Sequence, residues 1–225
     1  HDMQARGVRV VGTNTLRKLA IVTNVMGAGD DTIRLFTNQS ASPRHTFLLS
    51  DTSTSSSTAL ENRWRKDLID STGSGFTAAA AYDINADGYT DLFAGRTASP
   101  YRLKRYYWTG TSWNTDTVAA TLTAAINDMA IGDADNDGTA DDIIATSGQV
   151  VFHVHWNGAG FDTTRIWAGD ASTCYGVAIG DFDAAHAGNE VVAVTYGQRV
   201  MRLIWNGASW DTTTLYLAPA DLDFY

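Results

Sequence analysis

The chain has 225 residues, of which 44% are hydrophobic and 18% are charged, and its formal net charge is -9. This composition is typical of a globular protein with a substantial core, and the negative charge argues against nucleic acid and anionic membrane surfaces as partners. The sequence holds one cysteine, Cys174, which excludes an internal disulfide, and no apolar run approaches the roughly 18 residues of a membrane-spanning helix.

A repeat of about 48–50 residues runs through the chain. Acidic residues that open a loop recur at Asp83, Asp133 and Asp181, in steps of 50 and 48 residues. The same period links aromatic residues on either side of a later turn: Trp108, Trp156 and Trp205 before it, and Trp113, Phe161 and Trp210 after it. Independent markers that keep one period indicate a repeat architecture. The copies span about residues 8–70, 76–120, 126–170 and 175–218 of a single domain, 1–225.

The first copy, residues 8–70, is the most divergent. It carries an insertion at about residues 39–62, of which 51–58 are nearly all Ser and Thr. This stretch predicts a surface loop, either mobile or used for binding. The acidic loop start is replaced by Thr13-Asn14-Thr15, so we expect no metal in this copy.

Each copy contains four short apolar runs separated by turn residues. In the second copy these runs lie near residues 78–82, 91–94, 102–108 and 113–118. Their length and composition are typical of β-strands, and the Trp-Asn-Gly-Ala turns at 156–159 and 205–208 predict hairpins. Four strands in each copy predict an all-β fold, a β-propeller built from four four-stranded repeats. The repeats could close as four blades, belong to a larger propeller, or pair with a second chain.

Two loops carry the pattern of a known family. Residues 82–92, YDINADGYTDL, and residues 131–141, IGDADNDGTAD, resemble FG-GAP/VCBS-type repeats, as in integrin α-subunits and many secreted bacterial proteins. Residues 179–190 resemble a divergent form of the same repeat. The resemblance implies a propeller with calcium held between the first and second strands of a blade, in a secreted or cell-surface protein.

The loop residues also favour calcium on chemical grounds. Calcium takes six to eight oxygen ligands, and an Asp-x-Asp-x-Asp-Gly loop can direct its alternate side chains toward one point. The third copy offers Asp133, Asp135, Asp137 and Asp141, with the Thr139 carbonyl. The second offers Asp83, Asn85, Asp87 and Asp91, with the Tyr89 carbonyl. The alternative is an open turn in which the aspartates cap backbone groups.

The fourth copy keeps only part of this pattern. Its candidate ligands are Asp181, Asp183 and Glu190, and Ala185 replaces the acid at the fifth loop position. A hydrogen-bonded turn is therefore the preferred interpretation for this loop. His186 lies in the same loop, and we expect it to be solvated.

The third strand of the third copy carries two histidines. His153 and His155 are two residues apart on a predicted strand and therefore share a face. They could begin a transition-metal site, but the sequence suggests no third ligand. The equivalents of His153 in the sister copies are Arg105 and Arg202, which indicates a polar face. Residues 102–107 form a basic and aromatic cluster, either an ordinary exposed strand or a platform for a sugar or an acidic partner.

These observations favour a non-catalytic, calcium-stabilised binding or scaffold module that recognises a glycan or a protein. The alternative is a carbohydrate-active enzyme, a lyase or hydrolase, or its accessory propeller domain, in which some acidic residues do acid–base work. Gly-x-Ser-x-Gly, His-Glu-x-x-His and phosphate-loop motifs are absent from the sequence. We expect no nucleic-acid partner and no membrane insertion, and oligomers could form if the four repeats do not close.

Overall fold

The computed structural model describes residues 4–11, 18–24, 32–38, 64–70, 75–119, 122–169, 172–196 and 199–217. The predicted insertion at 39–62 and the Thr13-Asn14-Thr15 segment lie outside the described residues. In the described ranges the regular secondary structure is entirely β-strand, which confirms the expected all-β class. That part of the chain contains no helix long and apolar enough to cross a bilayer.

The strands are numbered in chain order. The first repeat contains β1 (Gln4–Val11), β2 (Lys18–Asn24), β3 (Thr32–Asn38) and β4 (Trp64–Asp70). The second contains β5 (Phe76–Tyr82), β6 (Asp91–Arg96), β7 (Leu103–Trp108) and β8 (Trp113–Ala119). The third contains β9 (Ile126–Gly132), β10 (Asp142–Ser147), β11 (Val150–Trp156) and β12 (Phe161–Ala168). The fourth contains β13 (Cys174–Gly180), β14 (Glu190–Thr195), β15 (Arg199–Trp205) and β16 (Trp210–Leu217).

Each repeat folds into one antiparallel sheet of four strands that are consecutive in the chain. We number these sheets as the repeats. In the three later sheets, the first strand ends opposite the first residue of the second strand: Tyr82 pairs with Asp91, Gly132 with Asp142, and Gly180 with Glu190. This shared register defines which positions are equivalent in the three sheets.

The hairpin turns form at the predicted Asn-Gly pairs. In the third sheet, the Oδ1 atom of Asn157 accepts hydrogen bonds from the backbone N–H groups of Ala159 and Gly160, at 3.0 and 2.9 Å. Gly158 has a φ of 87°, a left-handed conformation that glycine adopts without steric cost. Asn206 makes the same type of bond in the fourth sheet.

The hydrophobic core lies between successive sheets, and the first strands β5, β9 and β13 are neighbours. One face of the third sheet packs against the second sheet, and the other face packs against the fourth. The first cluster includes Phe93, Leu103, Ile126, Met129 and Ile143, and the second includes Ile144, Val151, Val191, Met201 and Leu203. Because both faces of the third sheet are covered, every residue of β10 is buried.

A glycine permits close contact between the second and third sheets. A Cβ atom added at Gly95 of β6 would lie 2.5 Å from the Cβ of Ile126 in β9. Atoms cannot approach so closely, so any side chain at this position would push the two sheets apart.

The outer face of the fourth sheet carries the apolar residues Ala178, Val192, Val194, Val200 and Tyr216 together with the polar residues Arg202 and Thr213. The cross-strand pairing places these residues on one face, opposite the buried cluster. Val194 is 38% exposed and Tyr216 is 46% exposed.

The equivalent face of the third sheet is covered. Ala130 and Ile144 occupy the positions equivalent to Ala178 and Val192, and they are 5% and 0% exposed because the fourth sheet packs on them. Ala178 and Val194 on the outer face of the fourth sheet are exposed, so this face is less buried than its equivalent in the third sheet.

Candidate functional site

The loop of the third sheet, residues 133–141, joins β9 to β10 and is curled by its own aspartates. Asp133 accepts a hydrogen bond from the backbone N–H of Gly138 at 3.1 Å, and Asp137 accepts one from Thr139 at 2.7 Å. Gly138 has a φ of 95°, which allows the sharp turn. One carboxylate oxygen from each of Asp133, Asp135 and Asp137 lies within 4.8 Å of the others.

Two carboxylate oxygens in this loop are buried without a hydrogen bond. They are the Oδ1 atoms of Asp133 and Asp141. The Nδ1 atom of His155 lies 3.6 Å from the Oδ1 atom of Asp141, too far for a hydrogen bond. Burial raises the pKa of Asp141, and that of Asp135 as well. Unpaired buried carboxylate oxygens are costly, and a bound cation would offset this cost.

The loop of the second sheet, residues 83–90, has the same local structure. Asp83 accepts hydrogen bonds from the backbone N–H groups of Asp87 and Gly88, at 3.0 and 2.9 Å. Asp87 accepts one from Tyr89 at 2.8 Å, and the side chain of Asn85 donates to Asp87 at 3.0 Å. These aspartates cap backbone groups as in an open turn, but the capping leaves further lone pairs for a cation.

Asp91, the ninth residue of the second-sheet motif, is held by an arginine. It is fully buried, and its Oδ2 lies 2.7 Å from a guanidinium nitrogen of Arg105. Burial raises the pKa of Asp91 to about 6, although Arg105 lowers it. The Oδ1 atom of Asp91 has no hydrogen bond. Arg105 also stacks over Trp156, 5.1 Å from the ring centroid, and thus connects the second sheet to the third.

The loop of the fourth sheet, residues 181–189, is a hydrogen-bonded turn. Glu190 is fully buried and accepts hydrogen bonds from the backbone N–H groups of Phe182 and Asp183, at 2.7 and 3.3 Å, and its other oxygen lies 3.1 Å from His186. The carboxylate of Asp183 pairs with Arg202. Asp181 is exposed. The three predicted ligands thus each have different surroundings.

The third and fourth loops are tied together. The side chain of Asn136 donates to the carbonyl of Asn189 at 3.0 Å, and Asn189 donates to the carbonyl of Asp133 at 2.7 Å. The shape of the metal-candidate loop is therefore coupled to the contact between the third and fourth sheets.

The structure places an acidic residue, Asp142, at the site, and the sequence motif did not identify it. Asp142, not Asp141, is equivalent to Asp91 and Glu190, because each opens the second strand of its sheet. The third-sheet loop is one residue longer than the second-sheet loop, so Asp141 has no counterpart there. The spacing in the sequence indicates that Asp142 and Glu190 are equivalent, because Asp142 follows Asp133 by nine residues and Glu190 follows Asp181 by nine residues.

Asp142 is the centre of a second polar cluster. Its Oδ2 accepts hydrogen bonds from the backbone N–H groups of Ala134 and Asp135, at 2.8 and 3.1 Å. Its Oδ1 lies 2.6 Å from the Nε2 of His153 and 3.0 Å from the Nδ1 of His155. Burial alone would raise the pKa of Asp142, but the two histidines lower it. Burial would lower the pKa of His155, but the surrounding carboxylates raise it.

The basic and aromatic cluster at residues 102–107 is largely used inside the protein. Lys104 and Tyr106 both contact Asp70 of β4, at 3.1 and 2.7 Å, and so connect the first sheet to the second. Arg105 and Tyr106 are buried. Burial and the adjacent Asp70 raise the pKa of Tyr106. These contacts do not support a sugar-binding platform at these residues.

A scan against protein-family models found no family that matches this chain. A search of curated proteins found no relative either.

Proposed function

We propose that this chain is a calcium-stabilised, non-catalytic binding or scaffold module of a secreted or cell-surface protein, with a glycan or a protein as its partner. The observation that carries the proposal is the pair of buried carboxylate oxygens of Asp133 and Asp141, which have no hydrogen bond and belong to one acidic loop. The resemblance of this loop to FG-GAP/VCBS repeats supports the same conclusion.

The third-sheet loop is the principal calcium site in this proposal. Its ligands are Asp133, Asp135, Asp137 and Asp141, with the Thr139 carbonyl. Two carboxylates about 4 Å apart repel by roughly 4 kcal/mol at an effective dielectric constant near 20, and a divalent cation reverses this repulsion. Carboxylate and carbonyl oxygens are the donors that calcium prefers.

The second-sheet loop is a second calcium site in this proposal. Asp83, Asn85, Asp87 and the Tyr89 carbonyl supply oxygens, and Asp91 contributes through its unpaired Oδ1. We propose no calcium in the fourth-sheet loop, because Glu190 and Asp183 already have hydrogen-bonded partners.

The enzymatic alternative is not favoured by the described carboxylates. Asp91 has the raised pKa expected of a general acid, but it is fully buried and paired with Arg105, out of reach of a substrate. The other carboxylates with raised pKa, Asp135 and Asp141, belong to the proposed calcium site.

The four sheets are the blades of a propeller in this proposal, which is supported by the contacts between successive first strands, β5 to β9 and β9 to β13.

The calcium site is tested by thermal unfolding with calcium and with a chelator. At a calcium concentration about 1,000 times the dissociation constant, binding to the folded state alone adds about 4 kcal/mol to the free energy of unfolding. Asp133→Ala should remove most of the calcium-dependent shift. Asp116→Ala is the control, because Asp116 is exposed on β8. A melting temperature that is unchanged by the chelator would refute the proposal.

The partner class is tested separately. The calcium-loaded chain is applied to a glycan array, and it is also incubated with plant and algal polysaccharides while products are measured. Binding without product formation supports a glycan-binding module, whereas release of oligosaccharides would establish the enzymatic alternative. If calcium raises the melting temperature but the chain neither binds a glycan nor releases oligosaccharides, a protein is the remaining class of partner.

A further inference from the structure

The third sheet contains a group of side chains whose chemistry differs from that of the calcium loop. Ligand atoms of Asp135, Asp142, His153 and His155 all lie within 4.8 Å of one another. The two histidines come from β11, and Asp142 opens the adjacent strand β10. The cluster therefore combines two imidazole nitrogens with two carboxylate oxygens.

Comparison of the sheets shows what this cluster replaces. In the second sheet, the buried acid that opens the second strand is Asp91, and the permanent positive charge of Arg105 neutralises it at 2.7 Å. His153 occupies the position of Arg105 in the third sheet, opposite Ile144 as Arg105 is opposite Phe93. A neutral imidazole supplies no such charge, so the buried Asp142 requires either a proton on the histidines or another cation.

We propose that Asp135, Asp142, His153 and His155 form a binding site for a transition-metal ion of the zinc class. Imidazole nitrogen is a preferred donor for zinc, copper and nickel, whereas calcium prefers oxygen. Four ligands from two histidines and two carboxylates suit the tetrahedral coordination of zinc, with bonds of about 2.0–2.2 Å. This site differs from the proposed calcium site in its nitrogen donors, and the two sites share Asp135.

The surroundings of the cluster are those of a supported metal site. The Oδ2 of Asp142 is fixed by two backbone N–H groups, which leaves its Oδ1 directed at the histidines. The ring of His153 packs edge-on against Trp210 of the fourth sheet, 5.3 Å between centroids. Such outer contacts orient ligands before the ion binds. The side chain of His155 is 29% exposed, which provides a route for an ion from solvent.

The test uses the full chain after removal of metals. Titration with zinc chloride, followed by calorimetry, should give one site, and the imidazole NMR signals of His153 and His155 should shift together. Substitution of both residues, His153→Gln with His155→Gln, should weaken zinc binding by at least about 100-fold. The matched control is His186→Gln, because His186 contacts a buried acid, Glu190, in the sister loop. This control should bind zinc as the unmodified chain does.

A second variant separates the two metal proposals. Asp137→Asn removes a ligand of the calcium loop that lies outside the histidine cluster, and it should weaken calcium binding while zinc binding persists. If zinc does not bind the unmodified chain, or shifts only other histidines, the site proposal is overturned and the histidines act only as counter-ions of Asp142. The NMR result on the unmodified chain decides this even if the double variant does not fold.

Discussion

Loss of the Arg105 side chain should destabilise the protein strongly because it leaves the buried Asp91 unpaired, and Arg105→Met is the substitution that tests this. Arg105 is 3% exposed and Asp91 is 0% exposed, so loss of the guanidinium leaves a buried carboxylate without a counter-charge. Removing one partner of a buried pair costs about 3–5 kcal/mol. For a chain of this size that corresponds to a loss of about 6–20 °C in melting temperature.

The pH dependence of this loss follows from the raised pKa of Asp91, about 6 against 3.8 in the unfolded chain. Because the folded state binds the proton more tightly, protonation of Asp91 favours folding. The variant raises this pKa further, so its loss of stability should be largest at high pH, should shrink as the pH falls toward 6, and should be small below pH 6, where Asp91 is protonated in both proteins. Chelator is present throughout, since Asp91 is also a proposed calcium ligand.

Urea denaturation at pH 8 and pH 5 measures both effects. Arg202→Met is the matched control, because Arg202 holds the same strand position in the fourth sheet but its partner Asp183 is more exposed. The control should lose much less stability than Arg105→Met. A loss below about 1 kcal/mol for Arg105→Met, or a loss that is the same at both pH values, would refute the reasoning.

Three further expectations concern the packing and ionisation of the second and third sheets. Gly95→Ala should destabilise the fold by about 1–3 kcal/mol, because the new Cβ atom would clash with Ile126. The control is Gly160→Ala, which should change the urea midpoint little because no atom lies within 4 Å of the new Cβ. Equal urea midpoints for the two variants would contradict this reasoning. Ile143→Ala should cost about 2–5 kcal/mol in the same assay, because Ile143 is fully buried between sheets. In calcium-free protein, the side-chain carboxyl carbon of Asp91 should titrate near pH 6 by NMR, and a midpoint near pH 4 would be inconsistent with its burial.

Much of the local structure follows from the sequence because it depends on neighbours in the chain. The predicted runs at 78–82 and 113–118 lie within the observed strands Phe76–Tyr82 and Trp113–Ala119. The Asn-Gly turns form hairpins because the Asn157 side chain bonds to residues two and three positions ahead. The aspartates at alternate loop positions curl their own loops for the same reason.

Other features were decided by contacts between distant residues. Asp91 pairs with Arg105, which is fourteen residues away in the sequence. The loop motif does not include Arg105, so the sequence predicted Asp91 only as a metal ligand. Similarly, Lys104 and Tyr106 reach Asp70 of another sheet, so a segment that resembles an exposed platform is partly internal.

The sequence by itself determined the repeat, the all-β class and the acidic loops, because each depends on composition and spacing within about fifty residues. Only the tertiary structure placed Asp142 and Asp135 beside His153 and His155. One additional loop residue shifts the register of β10, so that the buried acid facing the histidines is Asp142 and not Asp141. The face on which a strand residue lies changes with every single-residue shift, and the paired strand alone fixes that register.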